Sequence, residues 1–192
     1  MKAYSALPER YEEIFSLDLK KNKKANITVN LLAIVISILM IVPMHFYIPI
    51  TELFSYEQGE SLFLIRFFAL LILSVLYIVL HEMVHGIAMK ICGTKKVKYG
   101  FVGQYAFAGS EDYYNKKAYI FIALSPIVLW GIVLLIVQLF VPTEWFWVVF
   151  LIQAFNISGA AGDLYVTVLF SRMPKDILIY DYGVGMKVFS KE

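Results

Sequence analysis

Apolar positions run in four long blocks, at about 28–50, 62–90, 118–141 and 145–170, and most charged residues lie between or outside them. A helix crosses roughly 30 Å of hydrocarbon with about 20 mainly apolar residues, so each block is long enough to be a membrane span. Together they leave no room for a separate soluble domain of ordinary size. The expected fold is therefore all-α: a single membrane domain over residues 1–192 with four transmembrane helices. Residues 97–107, between the second and third blocks, break this pattern. They are aromatic and β-branched, interrupted by Gly100 and Gly103, and predict one or two short strands, a β-hairpin-like connection.

The shorter segments carry weaker signals. In residues 1–24 the apolar Tyr11, Ile14, Phe15 and Leu17 are mixed with Glu12, Glu13 and Asp18, a pattern that fits an amphipathic helix on a membrane surface or a solvated tail. The first span ends around Pro43 and Pro49, and the third contains Ser125-Pro126, where proline kinks or breaks a helix. After Pro174 the chain reads as a strand over Asp176–Tyr182, a turn at Gly183-Val184-Gly185, and a second strand.

Composition strengthens the membrane reading, since 60% of the 192 residues are apolar, against the roughly 45–50% usual in soluble domains. Charge placement adds an orientation. Of the 17 Lys and Arg residues, all but Arg66 lie before the first span, at or between the inner ends of the second and third, or after the fourth. The 51–61 connection carries Glu52, Glu57 and Glu60 instead. Basic residues mark the cytoplasmic side, so the chain is expected in the cell membrane as a multi-pass protein with both termini cytoplasmic. Arg66, near the outer end of the second span, is expected to snorkel toward the headgroups. The first apolar run starts too late and is too long for a cleavable signal peptide. Cys92, the single cysteine, excludes an intramolecular disulfide. No basic patch has a nucleic-acid pattern, so no nucleic-acid partner is expected.

The second span carries the chemistry. In His81-Glu82-Met83-Val84-His85, residues i and i+4 share a helix face, so both imidazoles can reach one metal ion and Glu82 can act on a water beside it. Ionisable groups inside a bilayer are costly and mark function. Ser74, Tyr77, His81 and His85 form one polar stripe, which faces partners rather than lipid. A zinc site of this kind needs a third protein ligand and an open position. Taking Lys90 and Arg172 as inner-surface anchors, His81 and Asp163 each lie about 13–14 Å along their helices from that surface. Asp163 is thus the expected third ligand. His45 lies near the opposite face, and Glu111 and Asp112 sit on a connection where solvated acids are common. Gln153, Asn156 and Asp163 point the same way from the fourth span, with Ser158 and Gly162 giving the small-residue spacing that lets membrane helices approach closely.

An HExxH followed by a distal Asn-x6-Asp, here Asn156 to Asp163, resembles the site-2-protease type of intramembrane metalloprotease. More closely, HEMVHG, Ser125-Pro126 and NISGAAGDLY are together similar to a family of small bacterial membrane zincins. The likeness implies a Zn²⁺ cofactor held by His81, His85 and Asp163, with Glu82 as general base and a membrane protein or peptide as substrate. Asn156 would contact the substrate or the oxyanion, or else bridge helices. In site-2 proteases a strand near the active site pairs with substrate, a part open to residues 97–107. Two departures, Gly159 where site-2 proteases carry proline and Leu164 where glycine follows the aspartate, bear on cleavage of transmembrane helices more than on metal binding. The rival expectation is a non-hydrolytic membrane adaptor or metal-binding regulator that keeps the pocket.

Overall fold

The structure, a computed structural model, describes residues 1–18, 20–57, 59–103, 105–183 and 185–191. Gln104 of the 97–107 segment and Val184 of the C-terminal turn lie outside the described residues. Four helices long and apolar enough to cross a membrane are present among those residues: Lys23–Tyr47, Glu60–Ile91, Lys116–Phe140 and the composite Thr143–Ser171. The first three are α1, α2 and α3. The fourth comprises a 3-10 turn at Thr143–Trp145, then α4, Phe146–Gly159, and α5, Ala161–Ser171. The long apolar blocks coincide with these elements, in each of which a helix satisfies its own main-chain hydrogen bonds whatever surrounds its side chains.

The all-α expectation is corrected. Among the described residues seven strands accompany the helices: β1 Ala3–Tyr4, β2 Tyr11–Asp18, β3 Lys98–Val102, β4 Tyr105–Gly109, β5 Tyr113–Asn115, β6 Leu178–Asp181 and β7 Gly185–Lys191. Five of them form an antiparallel sheet in the order β1-β5-β6-β7-β2. The other two form a hairpin, β3–β4. Gly103, at φ +66°, turns that hairpin in a conformation that favours glycine.

The chain folds into two compact units. The first comprises Met1–Val29, Leu80–Pro126 and Gly162–Glu192. Its core joins the sheet to the ends of helices: Leu17, Ile177, Ile179 and Val188 pack with Met89, Ala118, Ile122 and Phe170. Each large side chain buried there contributes about 1.5–3 kcal/mol over its exposed state. Here the N-terminal segment departs from the expected helix or tail. β2 pairs with β7, Tyr11 opposite Lys191 and Leu17 opposite Met186, with an irregularity between Glu13 and Phe15. That bulge disturbs the simple alternation that would have marked a strand. The expected C-terminal pair of strands is present as β6 and β7.

The second unit, Asn30–Val79 and Ile127–Ala161, has its own core of Leu53, Tyr77, Trp147, Val148, Phe150 and Ile152. Within it Arg66 is not a snorkelling residue. It is 3% exposed, and its guanidinium donates to the carbonyls of Glu52 (3.3 Å), Glu144 (3.1 Å) and Ser55 (2.6 Å). These carbonyls come from the two connections flanking α2 and α4, that of Glu52 also accepting the Ser55 N–H at 3.3 Å, so the planar fork of arginine ties both connections to α2. Arg66→Ala is expected to destabilise the protein by about 2 kcal/mol, because three part-buried carbonyls lose a charged donor. Arg66→Lys should recover only part of this, since an ammonium lacks the fork; equal thermal midpoints for wild type and Arg66→Ala in detergent would contradict the clamp.

Candidate metal centre

The site lies within the first unit and is built by three helices and the hairpin. α2 carries His81 and His85 on adjacent turns of one face, their rings 4.9 Å apart and nearly perpendicular. The chain breaks between α4 and α5 at Ala160, where the backbone leaves helical geometry beside Gly159, a poor helix former. α5 therefore starts afresh, and Asp163 falls in its first turn, where the unpaired N–H groups of a helix favour a carboxylate. The expected single fourth span is thus two helical segments, with the candidate ligand at the start of the second.

His81 and His85 present their Nε2 atoms to Asp163 Oδ2 at 3.5 and 3.6 Å. One ligand atom from each of the three residues lies within 4.8 Å of the others. The distances discriminate between two readings. A charge-assisted hydrogen bond between imidazolium and carboxylate closes to about 2.7–2.9 Å. Donors around a tetrahedral zinc, with bonds of about 2.0–2.2 Å, stand roughly 3.3–3.6 Å apart. The observed separations match the second.

Hydrogen bonding supports the same choice. His85 Nδ1 lies 2.9 Å from the carbonyl of Ile122 on α3. A carbonyl oxygen can only accept, so the proton of this bond sits on Nδ1. In the neutral ring Nε2 then carries its lone pair toward Asp163, another acceptor. Two acceptors facing each other are satisfied by a cation between them, and a metal-bound histidine whose other nitrogen donates to a carbonyl is the common arrangement. The donor set fits zinc. Access is uneven: the histidine side chains are 10% and 9% exposed and that of Asp163 is 26%. The open side of the cluster is therefore the one toward Asp163.

Glu82 lies next to His81 and is half-buried; its carboxylate accepts the Ala108 N–H of β4. Ala108 stands opposite Tyr99 in the hairpin register, and the Tyr99 hydroxyl occupies the space that a Cβ on Gly86 would need. One rung of the hairpin thus rests on the helix that carries the motif, and only glycine at 86 permits so close an approach. Because the Ala108 N–H points away from β3, the backbone of Ala106, two residues along, points the same way. Sequence reasoning assigns no role to the main chain of Ala108 or Ile122, since backbone contacts leave no residue-type signal.

The remaining candidates lie elsewhere. Glu111 pairs with Lys98 at 2.5 Å on the surface. His45 Nδ1 accepts the N–H of Ile50 at 3.0 Å in the second unit. Cys92 is buried outside the cluster, and burial pushes its thiol up. Asn156, also in the second unit, is wholly buried; it accepts from the Tyr77 hydroxyl (2.7 Å) and donates to the Ile127 carbonyl (3.2 Å). These contacts tie α2, α3 and α4 together, which is the bridging alternative for this residue. They lend no support to a substrate contact.

Two imidazoles from one helix and a carboxylate from another, with a glutamate beside them, form a group that could hold a metal ion and has the donor types of a zincin centre. The chain belongs to the family described as "Putative zincin peptidase", whose model matches residues 74–178, a stretch holding His81, Glu82, His85 and Asp163. It is also similar to a Pyrococcus woesei protein described as "Uncharacterized 24.7 kDa protein in gap 5′region", with 31% identity over 118 residues, 59% of this chain and 51% of that one. The match thus spans about half the length of that curated relative. No solved structure matches the chain.

Proposed function

We propose that the protein is a membrane-embedded zinc metalloprotease that hydrolyses peptide bonds near the cytoplasmic membrane boundary. The observation that carries this reading is the convergence of His81, His85 and Asp163 at zinc-like spacing, with Glu82 beside them. Membrane embedding is supported by the four long helices and by apolar side chains that would be unfavourable in water, such as Leu39, Phe46, Leu139 and Phe140, each at least 67% exposed. The one-sided distribution of basic residues supports cytoplasmic termini.

His81, His85 and Asp163 would hold the ion. Zinc bound by such ligands supplies Lewis acidity, polarising a carbonyl and acidifying water. Glu82 takes the proton from the attacking water and delivers it to the departing amine, so that one carboxylate serves as base and then as acid. Its bond to the Ala108 N–H holds the carboxylate beside the histidines. The outward-facing edge of β4 offers main-chain pairing to an extended peptide, which would present its scissile bond alongside α2. Such a substrate would be a membrane protein or peptide, since the lipid bilayer surrounds the site's helices.

The test is metal removal. Protein purified in detergent is expected to contain about one zinc per chain, and chelation should abolish peptide hydrolysis that added zinc restores. A zinc-free preparation that keeps full activity rules the mechanism out.

A further inference from the structure

The structure assigns a task to Pro126 that rests on the metalloprotease reading: we infer that it is a positioning residue for the metal centre, acting through the carbonyl of Ile122 on His85. In an α-helix the N–H of residue i bonds to the carbonyl of residue i−4, so the partner of Ile122 O would be the N–H at position 126. Proline has none, and its ring crowds the carbonyl four residues back. Pro126 lies inside α3, and Ile122 is 2% exposed, so water does not replace the missing donor. A buried carbonyl left this way costs free energy unless it is paired. Its partner is His85 Nδ1, at 2.9 Å.

The arrangement serves both sides. The imidazole satisfies the orphaned carbonyl, and the carbonyl holds the ring with its proton on Nδ1, leaving the Nε2 lone pair for the metal. The same turn of α3 is anchored on either side of Ile122. Tyr119 donates to Asp181 at 2.7 Å, and Ser125 Oγ donates to the Phe121 carbonyl at 2.5 Å. Side-chain bonds of the Ser125 kind bend helices, which adds to the displacement at the proline. Pro126 itself touches no reacting atom. It withholds a competing N–H from an acceptor that the metal ligand needs.

The experiment separates this from a simple helix kink. With only three histidines in the chain, ¹⁵N-histidine NMR of the zinc-free protein in detergent can be assigned through single substitutions. Wild-type His85 is expected to hold a hydrogen-bonded, slowly exchanging proton on Nδ1, whether or not Nε2 also carries one toward Asp163. In Pro126→Ala the restored N–H competes for Ile122 O, so the Nδ1 proton should exchange faster and zinc affinity, measured against a chromophoric chelator, should fall about 10–100-fold. The double substitution Ser125→Pro, Pro126→Ser keeps a proline kink but frees Phe121 O instead, and should lose affinity equally. Wild-type protection of the Nδ1 proton and wild-type affinity in either variant would overturn the inference. So would a wild-type His85 without a proton on Nδ1, which decides the matter even where a variant fails to fold. A wild-type chain that binds no zinc sinks the metalloprotease reading instead, while the Nδ1 proton still reports on Pro126.

Discussion

Glu82→Gln is expected to keep about one zinc per chain and to lower peptide hydrolysis by about 10²–10⁴-fold, the usual contribution of a positioned general acid–base. Glutamine is the informative substitution because it preserves shape and an acceptor. Its amide oxygen can still take the Ala108 N–H that Glu82 accepts, so the hairpin stays seated on α2. What it cannot do is accept the proton of the attacking water. Comparative membrane proteomics of cells carrying wild type and Glu82→Gln should reveal an accumulating or trapped substrate. A variant that cleaves at the wild-type rate would remove Glu82 from the chemistry. If a cellular phenotype survives Glu82→Gln but is lost in His81→Ala, the pocket serves the adaptor or regulator role and turnover is not its purpose.

Asp163→Ala should weaken zinc binding by more than the roughly 10–100-fold typical of losing a residue that only orients a ligand, because it deletes a donor and its negative charge. Two neutral imidazoles would remain, an incomplete set for zinc. Asp163→Asn, which keeps an oxygen without the charge, should fall between the two. The measurement is zinc per chain together with chelator competition. Wild-type affinity in Asp163→Ala would place the third ligand elsewhere. Glu111 is a poor substitute, since its carboxylate is engaged by Lys98.

Much of the site is legible in the amino-acid sequence. The HExxH spacing encodes a shared helix face, and matching the helical rise from Lys90 and Arg172 selects Asp163 from the other acids. Both steps rest on the 1.5 Å rise and 3.6-residue turn, which hold for any helix. The parts that escape depend on groups that residue type does not reveal. Ser125-Pro126 stands out only as a helix irregularity, because nothing local says which side chain will claim a freed carbonyl. Arg66 reads as a residue reaching for headgroups, but three backbone carbonyls converge on it from segments far along the chain.

The sequence by itself determined four long apolar helices and the two histidines with their glutamate on one of them. These follow from local periodicity and from the length a helix needs to satisfy its own main chain in lipid. Only the tertiary structure decided that β2 would close a sheet against β7 at the other end of the chain, that a break at Ala160 would put Asp163 at the start of α5, and that Ile122 O would hold His85. Strand pairing, helix breaks and second partners of a ligand depend on which distant residues meet, and strand preference in particular changes with its neighbours.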